Sequence, residues 1–292
     1  MTNNDLHEPV LIKEVLEALE PISNEDKELM AIDATLGTGG HSQALLNQGY
    51  QVLAIEADKD MLAIAKSHLT GDIKFANGNF KDLDHIVRDA DIKNVDAILF
   101  DLGVSNLQLT SEDRGFSFIG GEAPLDMRID REGQSLTAAD LLNVLRKDQL
   151  EFLFAKVLKP WEAKKIVAEI LNARETTKFA TVADFLAVCS VVRTKPGLNR
   201  ATLPLLALRI AVNSELENLI EVLPKALEIV KSGGRILVIY FHSLERQIIS
   251  KFVHENKDKL IQINAEPISA GFEEVQINPK SRSARLVILE KI

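Results

Sequence analysis

The 292-residue sequence is poor in cysteine and in aromatic residues, and it has no long apolar run. Its one cysteine, Cys189, excludes an internal disulfide and argues against a cysteine-based metal site. Because Cys189 lies in an apolar stretch, we interpret it as a buried structural thiol. No apolar run approaches membrane-spanning length, and the N-terminus lacks the basic and apolar regions of a secretory signal. We therefore expect a cytoplasmic protein.

Positive charge is also scarce. The chain has 34 lysines and arginines against 43 aspartates and glutamates, a net charge of −9. Since non-specific affinity for phosphate comes mainly from excess lysine and arginine, this composition disfavours a general nucleic-acid coat. It leaves room for a local basic surface, because Lys280, Arg282 and Arg285 lie within residues 278–285 with no acid among them. The alternative for that stretch is an ordinary solvated loop.

Residues 33–42, with the sequence DATLGTGGHS, form the most informative segment of the chain. They follow the apolar run 29–32 and lead into a helical pattern. A strand that turns on glycines, here Gly37, Gly39 and Gly40, into a helix N-terminus brings backbone amides close to a ligand. A tight turn that binds nothing is the alternative.

Three carboxylates end three apolar runs: Asp33, Glu56 and Asp101. Open α/β sheets bind ligands at the carboxyl ends of their strands, but an acidic pocket repels the pyrophosphate of a dinucleotide. Ser42 also stands where the dinucleotide fingerprint has Gly or Ala. S-adenosylmethionine fits better, because it is cationic at its ammonium and sulfonium. Its ribose hydroxyls can donate to Glu56, and its carboxylate can lie on the amides of the glycine segment.

Strand and helix signals alternate over the first hundred residues. They predict strands over 29–34, 51–55, 73–76 and 95–101, and helices over 41–48, 59–69 and 83–90. This alternation predicts a parallel, doubly wound sheet. Residues 106–135 lack periodicity and predict a long functional loop, 137–200 are helical in pattern, and strands return at 235–241 and 285–289. We predict a core of residues 1–108 and 206–292, interrupted by a loop and helical domain over 109–205.

Several motifs follow one another along the chain. They are 7–11, 33–42, 101–105 with Gln108-Leu109, 114–118, 124–128, 207–213, 241–245 and 278–284. With these motifs the sequence resembles, almost end to end, the bacterial small-subunit ribosomal RNA (cytosine-N4)-methyltransferase family. It departs from the family pattern at 202–206, at Pro160-Trp161, at Ile119 and at Arg246-Gln247, as a diverged member would.

The resemblance implies a class I, Rossmann-like methyltransferase fold with an inserted helical domain, and S-adenosylmethionine as cofactor. It implies methylation of N4 of a cytidine in 16S ribosomal RNA near the decoding centre. The partner would be small-subunit RNA, free or in the assembled 30S subunit, with no metal or membrane required. Carried onto this sequence, the cofactor contacts are Gly39, Gly40, His41, Glu56, Phe80, Asp101 and Gln108. The strand-end pattern adds Asp33 and Gly37.

N4 of cytosine is a poor nucleophile, so the base must leave its stack and its N4 proton needs an acceptor. Asp101 is our candidate acceptor. We expect Phe116, Phe118, Arg128, His242, Arg282 and Arg285 to stack on the base or hold phosphates. His242 could instead be a local hydrogen-bonding residue. Two alternative functions stay open: a methyltransferase for another RNA, a protein or a small molecule, and a non-catalytic RNA-binding or ribosome-assembly factor.

Overall fold

The computed structural model describes residues 9–23, 28–118, 121–194, 197 and 199–292. Eight strands form one mixed sheet. They are β1 (Leu29–Asp33), β2 (Tyr50–Glu56), β3 (Ile73–Asn77), β4 (Val95–Asp101), β5 (Val230–Tyr240), β6 (Leu260–Gln262), β7 (Ile268–Ser269) and β8 (Arg285–Lys291). The strand order is β3-β2-β1-β4-β5-β8-β6, and β7 also pairs with β8.

The first five strands in that order pair in parallel, as the alternating pattern predicted. The C-terminal strand β8 is antiparallel to both β5 and β6 and lies between them. The predicted strands thus exist with nearly the predicted bounds, and the parallel pairing predicted for the first hundred residues is confirmed. No direction was predicted for the C-terminal strands. A strand of period-two pattern does not specify its direction, so only the path of the chain sets it.

Thirteen helices lie among the described residues. The first four are α1 (Ile12–Ser23), α2 (Gly40–Asn47), α3 (Lys59–His68) and α4 (Leu83–Asp89), and the next three are α5 (Asn106–Thr110), α6 (Ala138–Val144) and α7 (Lys147–Ala155). The remaining six are α8 (Pro160–Thr176), α9 (Val182–Val188), α10 (Thr202–Asn213), α11 (Glu215–Ile229), α12 (Ser243–Glu255) and α13 (Phe272–Ile277). No helix in this part of the chain is both long and apolar enough to cross a lipid bilayer.

Helices cover both faces of the sheet. Side chains alternate along each strand, so Ile98 and Phe100 of β4 join a core with α4, α11 and α12, while Ala97 and Leu99 join a core with α1, α2 and α3. Strands buried on both faces read as continuous apolar runs, which is why the runs ending at Asp33, Glu56 and Asp101 were visible in the sequence.

The chain divides into two compact units. The first is Met1–Gly103 with Leu216–Ile292, and the second is Val104–Glu215. The predicted boundaries therefore shift, because residues 104–108 and 206–215 belong to the second unit. Helix α10 explains the later boundary, since its buried Leu205 and Leu208 belong to the second unit's core. A helix that is continuous from Thr202 to Asn213 cannot be divided at residue 206.

Candidate active site

The turn after β1 is built on two glycines with positive φ. Gly37 has φ of 53° and Gly39, the residue before α2, has φ of 88°. A Cβ on Gly39 would also lie 2.5 Å from Cδ1 of Leu69. Glycine is therefore required at this position on two independent grounds. The turn places the N-terminus of α2 at the carboxyl edge of the sheet, as the glycine-rich segment predicted.

The strand-end carboxylates lie on three adjacent strands. Asp33 pairs in register with Ala54 of β2 and with Leu99 of β4, so Glu56 and Asp101 each extend two residues beyond it. Asp33 is 1% exposed. Glu56 and Asp101 flank the turn that leaves β1, and Asp33 lies beneath that turn.

Asp33 holds this turn together. Its Oδ1 accepts a hydrogen bond from the Thr35 amide at 3.2 Å, and its Oδ2 accepts one from the Ser42 hydroxyl at 2.7 Å. Burial raises the pKa of Asp33, while His41 and these hydrogen bonds lower it. Through these two hydrogen bonds, Asp33 connects the end of β1 to the start of α2. We expected Asp33 to contact the cofactor directly, but its side chain has almost no exposed surface.

Glu56 is fixed by the backbone of two loops. Its Oε2 accepts from the Gly37 amide at 2.7 Å, and its Oε1 accepts from the Asp58 amide at 2.8 Å. Burial raises the pKa of Glu56 to about 7, although these two amides act to lower it. Each carboxylate oxygen keeps a second lone pair, so the group is oriented and can still accept from ribose hydroxyls.

One carboxylate oxygen of Asp101 has no hydrogen-bond partner in the part of the chain that the structure describes. Its amide donates to Oγ1 of Thr35 at 2.6 Å, which fixes the end of β4. Among the described residues, no hydrogen bond reaches the buried Oδ1 of Asp101. Burial raises the pKa of Asp101 to about 6, with His41 acting to lower it. A buried acceptor left unsatisfied is costly and points to a donor that a ligand would bring.

His41 lies beside Asp101. Its Nε2 is 3.0 Å from the carbonyl oxygen of Val10, which can only accept, so Nε2 carries a hydrogen. Its Nδ1 is 3.7 Å from Oδ2 of Asp101. The ring is almost fully buried. His41 thus connects the segment before α1 to the site and lies next to Asp101. In the motif 7–11, His7 and Glu8 lie outside the described residues.

The amides of the glycine segment are only partly available. Gly37 donates to Glu56, and Gly39 donates to the carbonyl of Leu36 at 2.8 Å. The amides of Gly40 and His41, in the first turn of α2, have no acceptor among the residues described. The first amides of a helix have no intrahelical acceptor and favour an anion. Two of the amides that were expected to bind the carboxylate, those of Gly37 and Gly39, are therefore engaged within the protein.

Two further predicted cofactor residues lie in different units. Phe80 belongs to the first unit, in the short 3-10 helix Phe80–Asp82, and its half-buried ring meets Phe100 edge to face at 5.9 Å. Gln108 belongs to the second unit. Its side chain accepts from the Ser105 amide at 2.8 Å and closes a capping box at the start of α5. Cofactor contact by either residue stays a prediction.

The expected base-stacking loop is ordered and partly buried. Phe116 is 6% exposed in the core of the second unit, so its ring offers no free face, contrary to our expectation. Phe118 is 41% exposed and remains available. Arg128 donates to both carboxylate oxygens of Asp126 and to the carbonyls of Arg131 and Gln134. With those donors engaged, Arg128 stabilises its own loop rather than presenting a free cation.

The two remaining groups of predicted substrate residues lie in the first unit. His242 is the N-cap of α12, and Glu245 accepts from the amides of Phe241 and His242 at 2.8 and 3.0 Å. This is the local role that we weighed as the alternative for His242. In the C-terminal tail, Arg282 is exposed, whereas Arg285 donates to the carbonyls of Arg282 and Ala284.

Sequence reasoning missed two residues that shape the site. Thr35 fixes the amide of Asp101, and Asp58 both donates to Glu56 and caps α3. The capping role of Asp58 was visible, since an aspartate before a helical pattern is a typical N-cap. The role of Thr35 was not, because its partner is 66 residues away.

A parallel sheet with one antiparallel strand near its edge, a glycine turn and strand-end carboxylates define a class I, S-adenosylmethionine-dependent methyltransferase. The predicted fold class is thereby confirmed.

The chain belongs to the MraW methylase family, whose sequence profile matches residues 4–292. It is 40% identical to "Ribosomal RNA small subunit methyltransferase H" of Methylacidiphilum infernorum, covering 98% of this chain and 94% of that protein. The protein of the same name from Persephonella marina is also 40% identical, covering 98% and 99%. A solved rRNA methylase from Streptococcus thermophilus aligns over 98% of this chain and 99% of its own, with 13% identity and a TM-score of 0.48.

Proposed function

We propose that this protein transfers a methyl group from S-adenosylmethionine to N4 of a cytidine in small-subunit ribosomal RNA, near the decoding centre. The observation that carries the chemistry is the buried Oδ1 of Asp101, which accepts no hydrogen bond from any described residue and so marks a place for a donor. Family membership and the curated names of the relatives support the RNA substrate. The cytosine amino group is a donor of the kind that Asp101 lacks.

The residues present fit the proposed cofactor. Glu56 and Asp101 lie at the carboxyl edge of the sheet, where their ionised carboxylates favour a cationic ligand over a dinucleotide. Glu56 would hold the ribose hydroxyls, and the amides of Gly40 and His41 would meet the carboxylate of the amino acid moiety. When bound, S-adenosylmethionine supplies a methyl group made electrophilic by its sulfonium.

Asp101 would act on the amino nitrogen of the target base. The lone pair of N4 is delocalised into the ring, so the nitrogen must become pyramidal as the new N–C bond forms. A carboxylate that accepts an N4–H hydrogen bond favours that change and takes up the proton that N4 loses. With a pKa of about 6, Asp101 is mostly ionised at neutral pH and can do this. The buried surroundings strengthen the hydrogen bond.

We propose that the protein acts in the cytoplasm on the RNA within the assembled 30S subunit, and that transfer needs no metal ion. The experiment compares free RNA with assembled subunits as acceptors, each with enzyme that was first treated with a chelator and desalted, or left untreated. Equal transfer to free RNA contradicts the first statement, and loss of transfer by the treated enzyme contradicts the second.

The main test is transfer of label from methyl-labelled donor to small subunits that lack the modification, followed by nucleoside analysis. We expect label in N4-methylcytidine alone. Label in another nucleoside or in protein would contradict the proposed target. A folded protein that binds donor and RNA but transfers nothing would instead favour a non-catalytic RNA-binding role.

A further inference from the structure

Trp161 is the sole tryptophan of the chain, and it lies near the start of α8 in the second unit. It is 41% exposed. Nζ of Lys165 is 5.2 Å from the centroid of its ring, and the guanidinium carbon of Arg193 is 5.6 Å from it. The cluster therefore joins two separate segments and presents a large aromatic ring together with two cations.

The surroundings of Trp161 are basic although the whole chain is acidic. Residues 146–200 contain 11 lysines and arginines against six aspartates and glutamates, whereas the chain has 34 against 43. Within residues 159–169, Lys159, Lys164 and Lys165 are exposed, as is Glu169, while Glu162 is 7% exposed. An anionic partner would meet positive charge at this surface.

We propose that Trp161, Lys165 and Arg193 form a binding site for an unpaired RNA segment, with a base stacked on the indole ring and the cations on neighbouring phosphates. This proposal rests on the proposed function only for the identity of the RNA. Proteins that bind single-stranded nucleic acid combine aromatic platforms with cations in this way.

The geometry allows both contacts. Lys165 and Arg193 are exposed side chains on long flexible stems, so each can move from the ring to a phosphate when RNA is present. Their contact with the ring is a surface cation–π interaction, which is weak and readily exchanged. Guanidinium and indole planes can also stack on the same base.

The single tryptophan gives a direct readout. The intact protein is titrated with a decanucleotide of uridine, without methyl donor, while Trp emission and the anisotropy of labelled RNA are followed. We expect quenching of Trp161 with the same midpoint as the anisotropy change. Trp161→Ala should weaken binding by roughly tenfold, and Trp161→Phe should retain most of the affinity.

Two further sets of variants locate the site. Lys165→Ala and Arg193→Ala should each reduce the salt slope of binding by about 0.7, the value for one phosphate contact on a single strand. Phe152→Ala is the matched control, because Phe152 is a second exposed ring with one lysine, Lys156, at 5.7 Å. It should change affinity less than about threefold.

RNA binding without a change in Trp emission, or equal weakening by Trp161→Ala and Phe152→Ala, would overturn the site. Normal RNA affinity of the Trp161→Ala protein would also overturn the site. In that case the ring only packs the segment of Arg193 against α8. Unchanged thermal unfolding of the variants excludes a folding defect. Uridine has no amino group at C4, so its binding does not depend on methyl transfer. Quenching of Trp161 by the uridine decanucleotide, together with no methyl transfer to subunits, would contradict the proposed function and leave this RNA site standing.

Discussion

Glu56 and Asp101 have similar surroundings but different partners. Both oxygens of Glu56 accept backbone amides, whereas Oδ1 of Asp101 accepts nothing among the described residues. Glu56 is thus already oriented before a ligand arrives, which reduces the entropy lost on binding. Oδ1 of Asp101 is buried and can still accept a hydrogen bond from a ligand. On this difference we propose a binding role for Glu56 and a chemical role for Asp101.

Replacing Glu56 tests its binding role. Glu56→Ala should weaken donor binding by about 1.5 to 3 kcal/mol, because charge-assisted hydrogen bonds to the ribose are lost. Glu56→Gln keeps a hydrogen-bond acceptor but loses the charge, so its donor affinity should lie between those of Glu56→Ala and the wild type. Isothermal calorimetry measures both. An unchanged dissociation constant in a folded Glu56→Ala protein would contradict this role.

Replacing Asp101 tests its chemical role. Asp101→Asn keeps the shape but removes the proton acceptor, so the single-turnover rate at saturating donor should fall by roughly a hundredfold. Rapid-quench measurement with labelled donor gives this rate, and calorimetry of the same variant gives donor affinity as the control. A normal rate would leave positioning of the base as the whole mechanism.

At the scale of elements, the C-terminal 3-10 helix Pro279–Ser283 and the start of β8 carry the basic tail. Arg282 is exposed, while one guanidinium nitrogen of Arg285 donates to two nearby carbonyls. The tail offers no aromatic ring for stacking. It therefore fits contact with phosphates better than contact with bases.

Arg282→Ala and Arg285→Ala should weaken binding of matched and scrambled RNA alike, and each should reduce the salt slope by about one unit at most. We expect the larger effect from Arg282, since Arg285 is partly engaged. Binding measured over a salt series gives the slope, with Lys251→Ala on α12 as a control cation. Loss of sequence preference at unchanged affinity would rule out a phosphate contact.

At the scale of the whole molecule, the raised pKa values of the site link it to stability. The ordinary values are 4.5 for Glu56 and 3.8 for Asp101, against about 7 and about 6 in the fold. At pH values between the ordinary and the raised pKa, the native state binds more protons than the unfolded chain. The free energy of unfolding therefore falls as the pH rises through this range, because of Glu56 and Asp101. Ionisation favours a cationic donor, so donor affinity should increase over the same range.

The comparison of wild type with Glu56→Gln isolates this effect from the other acids. The stability of the variant relative to wild type should increase by on the order of 1 to 3 kcal/mol from pH 5 to pH 8. Urea unfolding without donor measures it. Donor affinity of the wild type should rise up to about tenfold per pH unit below pH 7, and that of the variant should rise less. A constant stability difference would show that Glu56 is not protonated near neutral pH.

Much of the fold was predictable because its signals are local. Alternating apolar runs and glycine turns gave β1 to β4 and the helices between them within a few residues. Four helices, α1, α5, α12 and α13, and the strands β6 and β7 were missed. The two missed strands have three and two residues and exist only through their pairing with β8. Residues 106–135 were predicted as a loop, yet Leu125 and Met127 within them are buried in a core.

The sequence by itself determined that Asp33, Glu56 and Asp101 lie at one edge, because parallel neighbouring strands must end there. Only the tertiary structure decided what each does. In the sheet register, Asp33 lies two residues before Glu56 and Asp101. Backbone amides donate to both oxygens of Glu56, and among the described residues one oxygen of Asp101 has no donor. Likewise, only packing buried Phe116 and left Trp161 exposed. The physical reason is that residue type fixes which hydrogen bonds and contacts a side chain can make, whereas its neighbours in space, which are distant in sequence, decide which of them form.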